Sequence, residues 1–268
     1  MTLLCPACGG RAFDRVGDGA AWARLAAGST DERRELLTAA AGVPELDCGD
    51  FMRCRACRMI RVERVPGAEA LTRFYQAYYA NRKYAPKQDK KIARATRRLA
   101  RLRARGAQGR FLEVGCNLGF AVEAARRLGF EAHGIEIDAA ATAQAQRLFP
   151  DCRFRACAAG EEAASGRSYD VVFCTEVIEH VPDPGEFAAA LGRLVAPGGH
   201  LFLTTPDAGH PLRGDFLAWP ETKPPEHLFW FTREALRRLL GRAGFADFHF
   251  ALNLKPGHKL TARKVPQG

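Results

Sequence analysis

From Arg110 onward, short apolar runs rich in Val, Phe and Leu alternate with stretches whose apolar positions recur every three or four residues. Runs of the first kind read as buried strands, and the second kind as helices that pack by one face. Strands are predicted at Arg110–Val114, Glu131–Glu136, Arg153–Cys157, Tyr169–Cys174, Gly199–Thr205, Phe245–Leu252 and Lys259–Lys264. Helices are predicted at Gly119–Leu128, Ala139–Leu148, Gly185–Val195 and Thr232–Arg242, with Gly129, Gly198–Gly199 and Gly244 placed as C-caps. Such alternation predicts an α/β fold, a mainly parallel sheet covered on both faces. Ligands of such sheets sit at the carboxyl ends of the strands, where the strand order reverses.

Upstream the pattern changes. Residues 1–64 hold two C-x-x-C pairs and one helical run, Asp31–Ala40; residues 65–107 hold a Tyr cluster and a basic helix; residues 108–268 hold the alternating region. The chain thus divides into a small module, a helical lid or linker and a catalytic-sized domain, without internal repeats.

Composition excludes several classes. With 47% hydrophobic residues the chain is neither disordered nor collagen-like. Its longest run free of charged side chains, Leu194–Pro206, is too short and too rich in Pro and Gly to cross a membrane. The start, MTLLCPACGG, lacks a secretory pattern, so a cytoplasmic protein with reduced thiols is expected. The net charge is +10, and Arg82–Arg110 alone carries twelve Lys or Arg against one acid, Asp89. The run from Lys90 to Arg105, with Ile92, Leu99 and Leu102 between the cations, reads either as a solvated helix face or as a surface for nucleic acid or an anionic substrate.

The sharpest local signal is FLEVGCNLGF at 111–120, a strand end followed by a glycine turn into a helix. It departs from the dinucleotide fingerprint, which would require glycines where Asn117 and Phe120 stand. Gly115 and Gly119 nonetheless allow close approach of backbone to a ligand. Glu136, at the end of the next strand in HGIEID, is placed for the two hydroxyls of a ribose. A nucleoside cofactor without phosphates is indicated.

These residues resemble the class I S-adenosylmethionine-dependent methyltransferases. The family's first motif is matched by Glu113, Gly115 and Gly119, with Asn117 in place of the central glycine. The resemblance continues through GIEID (134–138), YDVVFCTEVIEHVPDP (169–184), LVAPGGHLFLTTPD (194–207) and EHLFWFTREALRRLLGRAGF (226–245). It implies a seven-stranded Rossmann-like sheet. It also implies that Glu113 lies near the cofactor amine, Gly115, Asn117 and Gly119 under its methionine part, Glu136 and Ile137 beside its nucleoside, and Cys174 and Thr175 beside the sulfonium. The equivalents of the family's adenine-holding acid are Cys157 or Ala158.

A methyl on sulfonium is already activated, so the protein must mainly hold a nucleophile in line with it. A hydroxyl acceptor also needs its proton removed. His180 is the candidate general base, against a structural role capping the next helix; Glu179 is a weaker candidate. His227 lies in a Pro- and aromatic-rich loop suited to an acceptor pocket, while Phe229, Trp230 and Phe231 read as core. The Pro-rich Gly209–Pro225 segment reads as a lid.

Cys5, Cys8, Cys54 and Cys57 form two knuckles that together suit a structural zinc, a ribbon with a helical insertion; Cys48 is a less suitable ligand. Cys116, Cys152, Cys157 and Cys174 read as small buried residues. The segments CPACGG and MRCRACRMIRVERVPGAEALTRFYQAYYA resemble the amino-terminal module of bacterial methyltransferases that modify sugars and secondary metabolites. That resemblance implies a sugar or secondary-metabolite acceptor, methylated on oxygen, and places Tyr75, Tyr78 and Tyr79 over the cofactor; an amphipathic helix docking its aromatic side is the alternative. Two other functions stay open: an rRNA or tRNA methyltransferase using the basic helix 90–105, and a non-catalytic cofactor-binding protein.

Overall fold

The computed structural model describes residues 3–80 and 88–266, the side chains of residues 76–80 excepted. In chain order the elements are β1 (Phe13–Gly17), α1 (Gly19–Ala27), α2 (Glu32–Ala40), β2 (Phe51–Cys54), β3 (Ile60–Val62), α3 (Ala68–Ala80) and α4 (Gln88–Arg103). There follow β4 (Arg110–Val114), α5 (Phe120–Arg127), β5 (Glu131–Glu136), α6 (Ala139–Leu148), β6 (Arg153–Ala156), α7 (Ala159–Ala164), β7 (Tyr169–Thr175) and α8 (Pro184–Leu194). The last are β8 (Val195–Pro206), β9 (Phe229–Trp230), α9 (Arg233–Arg242), β10 (Phe245–Phe250) and β11 (Gly257–Lys264).

The seven-stranded sheet runs β10-β11-β8-β7-β4-β5-β6. Five strands from β6 to β8 are parallel, and β11 and β10 add an antiparallel edge. The chain leaves β4 toward β5 on one side and returns to β7 on the other, so the crevice expected at an order reversal opens above the ends of β4 and β7. The Rossmann-like seven-stranded sheet is therefore as expected.

Local chemistry accounts for the helix boundaries. Asp138 accepts from the amides of Ala140 and Ala141 at the start of α6, and Asp183 accepts from Gly185 and Glu186 ahead of α8, where Pro184, lacking an N–H, needs no acceptor. Gly129 and Gly244 take positive φ after α5 and α9, as C-caps do. Gly198 differs: α8 ends at Leu194, and Gly198, at φ 75°, lies in the irregular stretch of β8 between Val195 and His200 instead of closing a helix.

A second sheet, β1-β2-β3-β9, is the principal departure from the pattern reading. Its first three strands come from the amino-terminal 64 residues, but β9 comes from the loop before α9: Ile60 pairs with Trp230 and Arg61 with Phe229. Phe229, Trp230 and Phe231 are buried, as expected of core residues. Side-chain bonds reinforce the seam. Trp22 Nε1 donates to the Thr222 carbonyl at 2.7 Å, Thr232 Oγ1 to the Cys57 carbonyl at 2.7 Å, and Arg242 to the carbonyls of Pro6 and Ala7. One hydrophobic core runs from Phe51 and Met59 through Trp230 to Leu203 and Leu236.

The Gly209–Pro225 segment is a correction to the lid expectation. Phe216 and Trp219 are buried, and Phe216 meets Phe51 and Trp230 edge-on at 5.2 and 5.1 Å. Aromatic area in that core holds the segment down, so it serves as packed wall.

Candidate functional site

The loop after β4 is shaped by three left-handed residues. Gly115 has φ 72°, Asn117 φ 46° and Gly119 φ 78°. A Cβ on Gly115 would lie 2.6 Å from Val177 Cγ2, and one on Gly119 2.5 Å from the Phe154 ring, so both positions require glycine twice over. Asn117 occupies the third left-handed position because asparagine tolerates that region better than other side chains do. Its amide donates to Glu136 Oε2 at 3.0 Å, which ties the loop to the end of β5. Glu136 Oε1 accepts from the amides of Ile137 and Asp138 at 2.8 and 3.2 Å. Ile137 beside it is 65% exposed, an apolar surface next to Glu136.

Glu113 ends β4 beneath this loop. It is buried, and its Oε2 has no hydrogen-bond partner among the described residues. Burial pushes its carboxyl up to about 8, with the nearby Glu136 charge adding to the rise and the amides of Val122 and Ala121 opposing it. An unpaired buried carboxylate oxygen beside a glycine cradle and an exposed apolar shelf suits a ligand with an ammonium, a backbone-hugging chain and a flat ring. Cys157 is buried and Ala158 half-buried next to it, and the Cys157 amide donates to the Glu136 carbonyl at 3.0 Å, so neither side chain offers an adenine-holding carboxylate.

The end of β7 supplies the second half. The Cys174 side chain is fully buried in the core, because the strand pleat turns it inward, and Thr175, the next residue, is partly exposed at the strand end. Beyond it, Glu176 takes φ 54° and accepts from Thr204 Oγ1 at 2.6 Å. Glu179 is fully buried; its Oε2 accepts from Thr205 Oγ1 at 3.0 Å, and its Oε1 has no hydrogen-bond partner among the described residues. Burial, then the Glu176 charge, raise its carboxyl well above the usual range.

His180 Nδ1 lies 2.8 Å from the Glu226 carbonyl. A carbonyl only accepts, so Nδ1 carries the proton and Nε2 keeps its lone pair. Tyr75 Oη lies 3.3 Å from the same Nδ1 and donates to the same carbonyl at 3.1 Å. Desolvation holds the His180 imidazole below its ordinary value despite the opposing Glu226 charge. Its side chain is 21% accessible, the remainder covered. His227 stands edge-on behind it at 4.7 Å between ring centroids, its Nδ1 donating to the Glu221 carbonyl at 2.9 Å. At 2% exposure His227 has almost no surface for an acceptor, in contrast to its expected place in an acceptor pocket. Glu179, His180 and His227 each point one ligand atom into a space where all three lie within 4.8 Å. The side chains of Tyr78 and Tyr79 lie outside the described residues.

Pattern reading missed Glu176 and the carbonyl of Glu226. The spacing Glu176, Glu179, His180 was visible as i, i+3, i+4, but only the turn after β7 brings it against His227. At the other end of the molecule, Cys5 and Cys57 sulfurs lie 3.5 Å apart and those of Cys8 and Cys54 3.6 Å, all four within 4.8 Å. Cys48 is turned away, its thiol directed at the Leu46 carbonyl.

A family model described as a methyltransferase domain matches residues 83–249. Among curated proteins, the chain is 38% identical over 101 residues to a ubiquinone biosynthesis O-methyltransferase of Burkholderia orbicola, covering 36% of this chain and 44% of that protein. It is 40% identical over 100 residues to the protein of that name from Caulobacter vibrioides, covering 35% and 39%. The matched part is thus under half the length of these relatives. Among solved structures, magnesium protoporphyrin IX methyltransferase from Synechocystis PCC 6803 aligns with TM-score 0.51 and 19% identity, over 74% of this chain and 95% of that one. The CMeT domain of the citrinin polyketide synthase aligns with TM-score 0.51 and 17% identity, over 66% and 52%. These two likenesses concern the fold.

Proposed function

Because the chain belongs to the class I S-adenosylmethionine-dependent methyltransferases, we propose that it transfers a methyl group to a hydroxyl of a small-molecule acceptor, a sugar or other metabolite. When bound, S-adenosylmethionine supplies a methyl already activated by the sulfonium. The chain's residues then have three tasks. Glu113 offers its free oxygen to the cofactor amine, Gly115, Asn117 and Gly119 keep side chains out of the loop, and Glu136 with Ile137 holds the nucleoside. Thr175 and the backbone at Cys174 form the floor beneath the reacting end. His180 Nε2 takes the acceptor proton while its Nδ1 proton stays on the Glu226 carbonyl, and His227 keeps the ring upright.

The observation that carries this reading is the His180 tautomer, which the Glu226 carbonyl selects and which leaves Nε2 basic at neutral pH. Names of the curated relatives support oxygen as the methylated atom. The test is methyl-labelled S-adenosylmethionine incubated with the protein and a cell extract, separated into small-molecule, protein and nuclease-sensitive fractions. Label in the small-molecule fraction supports the proposal; label lost on ribonuclease treatment favours an RNA acceptor, and binding without turnover a non-catalytic role.

A second reading has its own support. Both imidazoles donate Nδ1–H to carbonyls, which leaves two Nε2 lone pairs beside the unpartnered Glu179 Oε1, a donor set that also suits a divalent cation. In that case His180 is a ligand, and the cation lowers the pKa of the acceptor hydroxyl. Turnover lost on dialysis against a chelator and restored by magnesium, manganese or zinc would select this reading over the free base.

The four amino-terminal cysteines are read as a structural zinc site. Tetrahedral ligands at about 2.3 Å place sulfurs about 3.8 Å apart, close to the separations present. We read residues 1–64 as a zinc-ribbon-like module with α1 and α2 inserted, residues 65–107 as the linking helices, and residues 108–268 as the methyltransferase domain.

A further inference from the structure

Between α4 and the exposed face of β8, β11 and β10 lies a cavity of about 740 Å³. Seven of its lining side chains are Lys or Arg, while two, Glu176 and Glu221, are acids. Arg94, Arg97, Arg98 and Arg101 follow one side of α4, Arg105 lies in the turn just beyond it, and Lys259 faces them from β11. The spacing of three and four residues places the first four on one helical face. Among the described residues none of these six cations is in an ion pair. Arg98 lies over the Phe202 ring at 5.4 Å, and Lys259 donates to Asn253 Oδ1 at 3.1 Å. Desolvation and mutual repulsion hold Arg98 and Lys259 below their ordinary values. Several arginines elsewhere are paired, such as Arg126 with Glu123, and Arg155 and Arg167 with Glu162. Seven cations against two acids in one concavity crowd like charges together, a cost to the fold that a multivalent anion relieves.

The cavity is continuous with the site already described. Glu176, which lines it, follows Thr175, and Pro206 and Thr204 belong to the same end of β8. The other end reaches Arg105, at the foot of α4. Its volume falls within the range of about 300–1,000 Å³ usual for small-molecule sites. A concavity of this volume suits a compact ligand better than a nucleic-acid duplex, whose phosphates are spread along an extended surface.

We propose that the groove between α4 and β11 binds the phosphate or diphosphate group of a phosphorylated acceptor, with the methyl-accepting end directed toward Glu176 and His180. Binding in the groove stands on its own geometry; the placement of the acceptor's other end rests on the methyl-transfer reading. Planar guanidinium groups on successive turns suit the several oxygens of such a group.

The test is titration calorimetry of the full-length protein with inorganic pyrophosphate, and separately with S-adenosylhomocysteine. Expected are saturable pyrophosphate binding that weakens with added KCl, a loss of at least tenfold in the Arg97→Gln/Arg101→Gln double variant, and no change in Arg103→Gln, which lies on the same helix outside the groove. Unchanged S-adenosylhomocysteine affinity in the double variant shows that it is folded. Pyrophosphate that fails to bind the wild type, or binds all three proteins equally, overturns the proposal. So does a single-stranded RNA 20-mer that binds tightly, needs Arg97 and Arg101, and is not displaced by pyrophosphate. Pyrophosphate binding without S-adenosylhomocysteine binding would remove the methyl-transfer reading and leave the anion site standing.

Discussion

His180 donates its Nδ1 proton to the Glu226 carbonyl across 2.8 Å, so a histidine from the turn after β7 is oriented by backbone from the loop before β9. The consequence is a fixed tautomer with Nε2 free. His180→Ala is expected to lower kcat about 100-fold or more while leaving the S-adenosylhomocysteine dissociation constant within about twofold. Tyr75→Phe removes only the hydroxyl that shares the Glu226 carbonyl, with an expected loss of about threefold to tenfold. Steady-state kinetics and calorimetry on the two variants check both.

Burial depresses the imidazoles of His180, His227 and His258. A depressed folded value means that neutral imidazole is preferred in the fold. The associated stability is present above about pH 6.5 and is lost as pH falls through the lower folded values. Turnover is therefore expected to be flat from pH 7 upward and to fall on the acid side, with thermal stability declining over the same acid range. A pH–rate profile and melting curves from pH 5 to 8 test this; a rate limb rising through pH 8 would contradict it.

Glu113, raised to about 8 by burial, has the opposite sign. Its protonated form suits the fold, so stability is full below pH 4.5 and declines as pH rises through about 8. Glu113→Gln is expected to raise the Tm by about 4 °C near pH 8 and by little near pH 4. The same change should weaken S-adenosylmethionine binding about tenfold, because an amide does not pair with an ammonium as a carboxylate does. Calorimetry and melting at the two pH values separate the effects.

Asn117 at φ 46° makes a conformational prediction. Asn117→Gly should be nearly neutral for stability and cofactor affinity. Asn117→Val, a β-branched residue in a left-handed position, should cost about 1–2 kcal/mol of stability and loosen the amide bond to Glu136. Chemical denaturation of both variants gives the comparison.

Cys54→Ser should release zinc and lower the Tm of the whole chain in one transition, because β2, β3 and β9 form one sheet. Metal analysis of freshly purified protein checks the first part. Substantially less than one zinc per chain in the wild type would remove the site, and two separate transitions would show that the amino-terminal residues melt alone.

Much of the sheet domain was legible in the residues because its signals are local. Alternating apolar runs marked β4 to β8 within a few residues, and Gly129 and Gly244 marked helix ends through their left-handed backbone. The short α7, the strand β1 and the helix α1 carried too few periodic positions to be distinguished. At the site, Glu113, Gly115, Gly119 and Glu136 were legible because a tight turn and a strand-end carboxylate have fixed spacing.

The sequence by itself determined most of the alternation of strands and helices from β4 onward, the glycine turn after β4, the cysteine knuckles and the concentration of cations between Arg82 and Arg110. Tertiary structure alone decided what those features face. It paired Ile60 with Trp230, folded Phe216 and Trp219 into the core, buried His227 behind His180, turned Cys174 inward, and set the arginines of α4 opposite Lys259. The physical reason is range. Periodicity, capping and backbone sterics act between residues a few positions apart, whereas burial, tautomer choice and charge crowding depend on partners up to 200 residues away, which only the packed chain brings together.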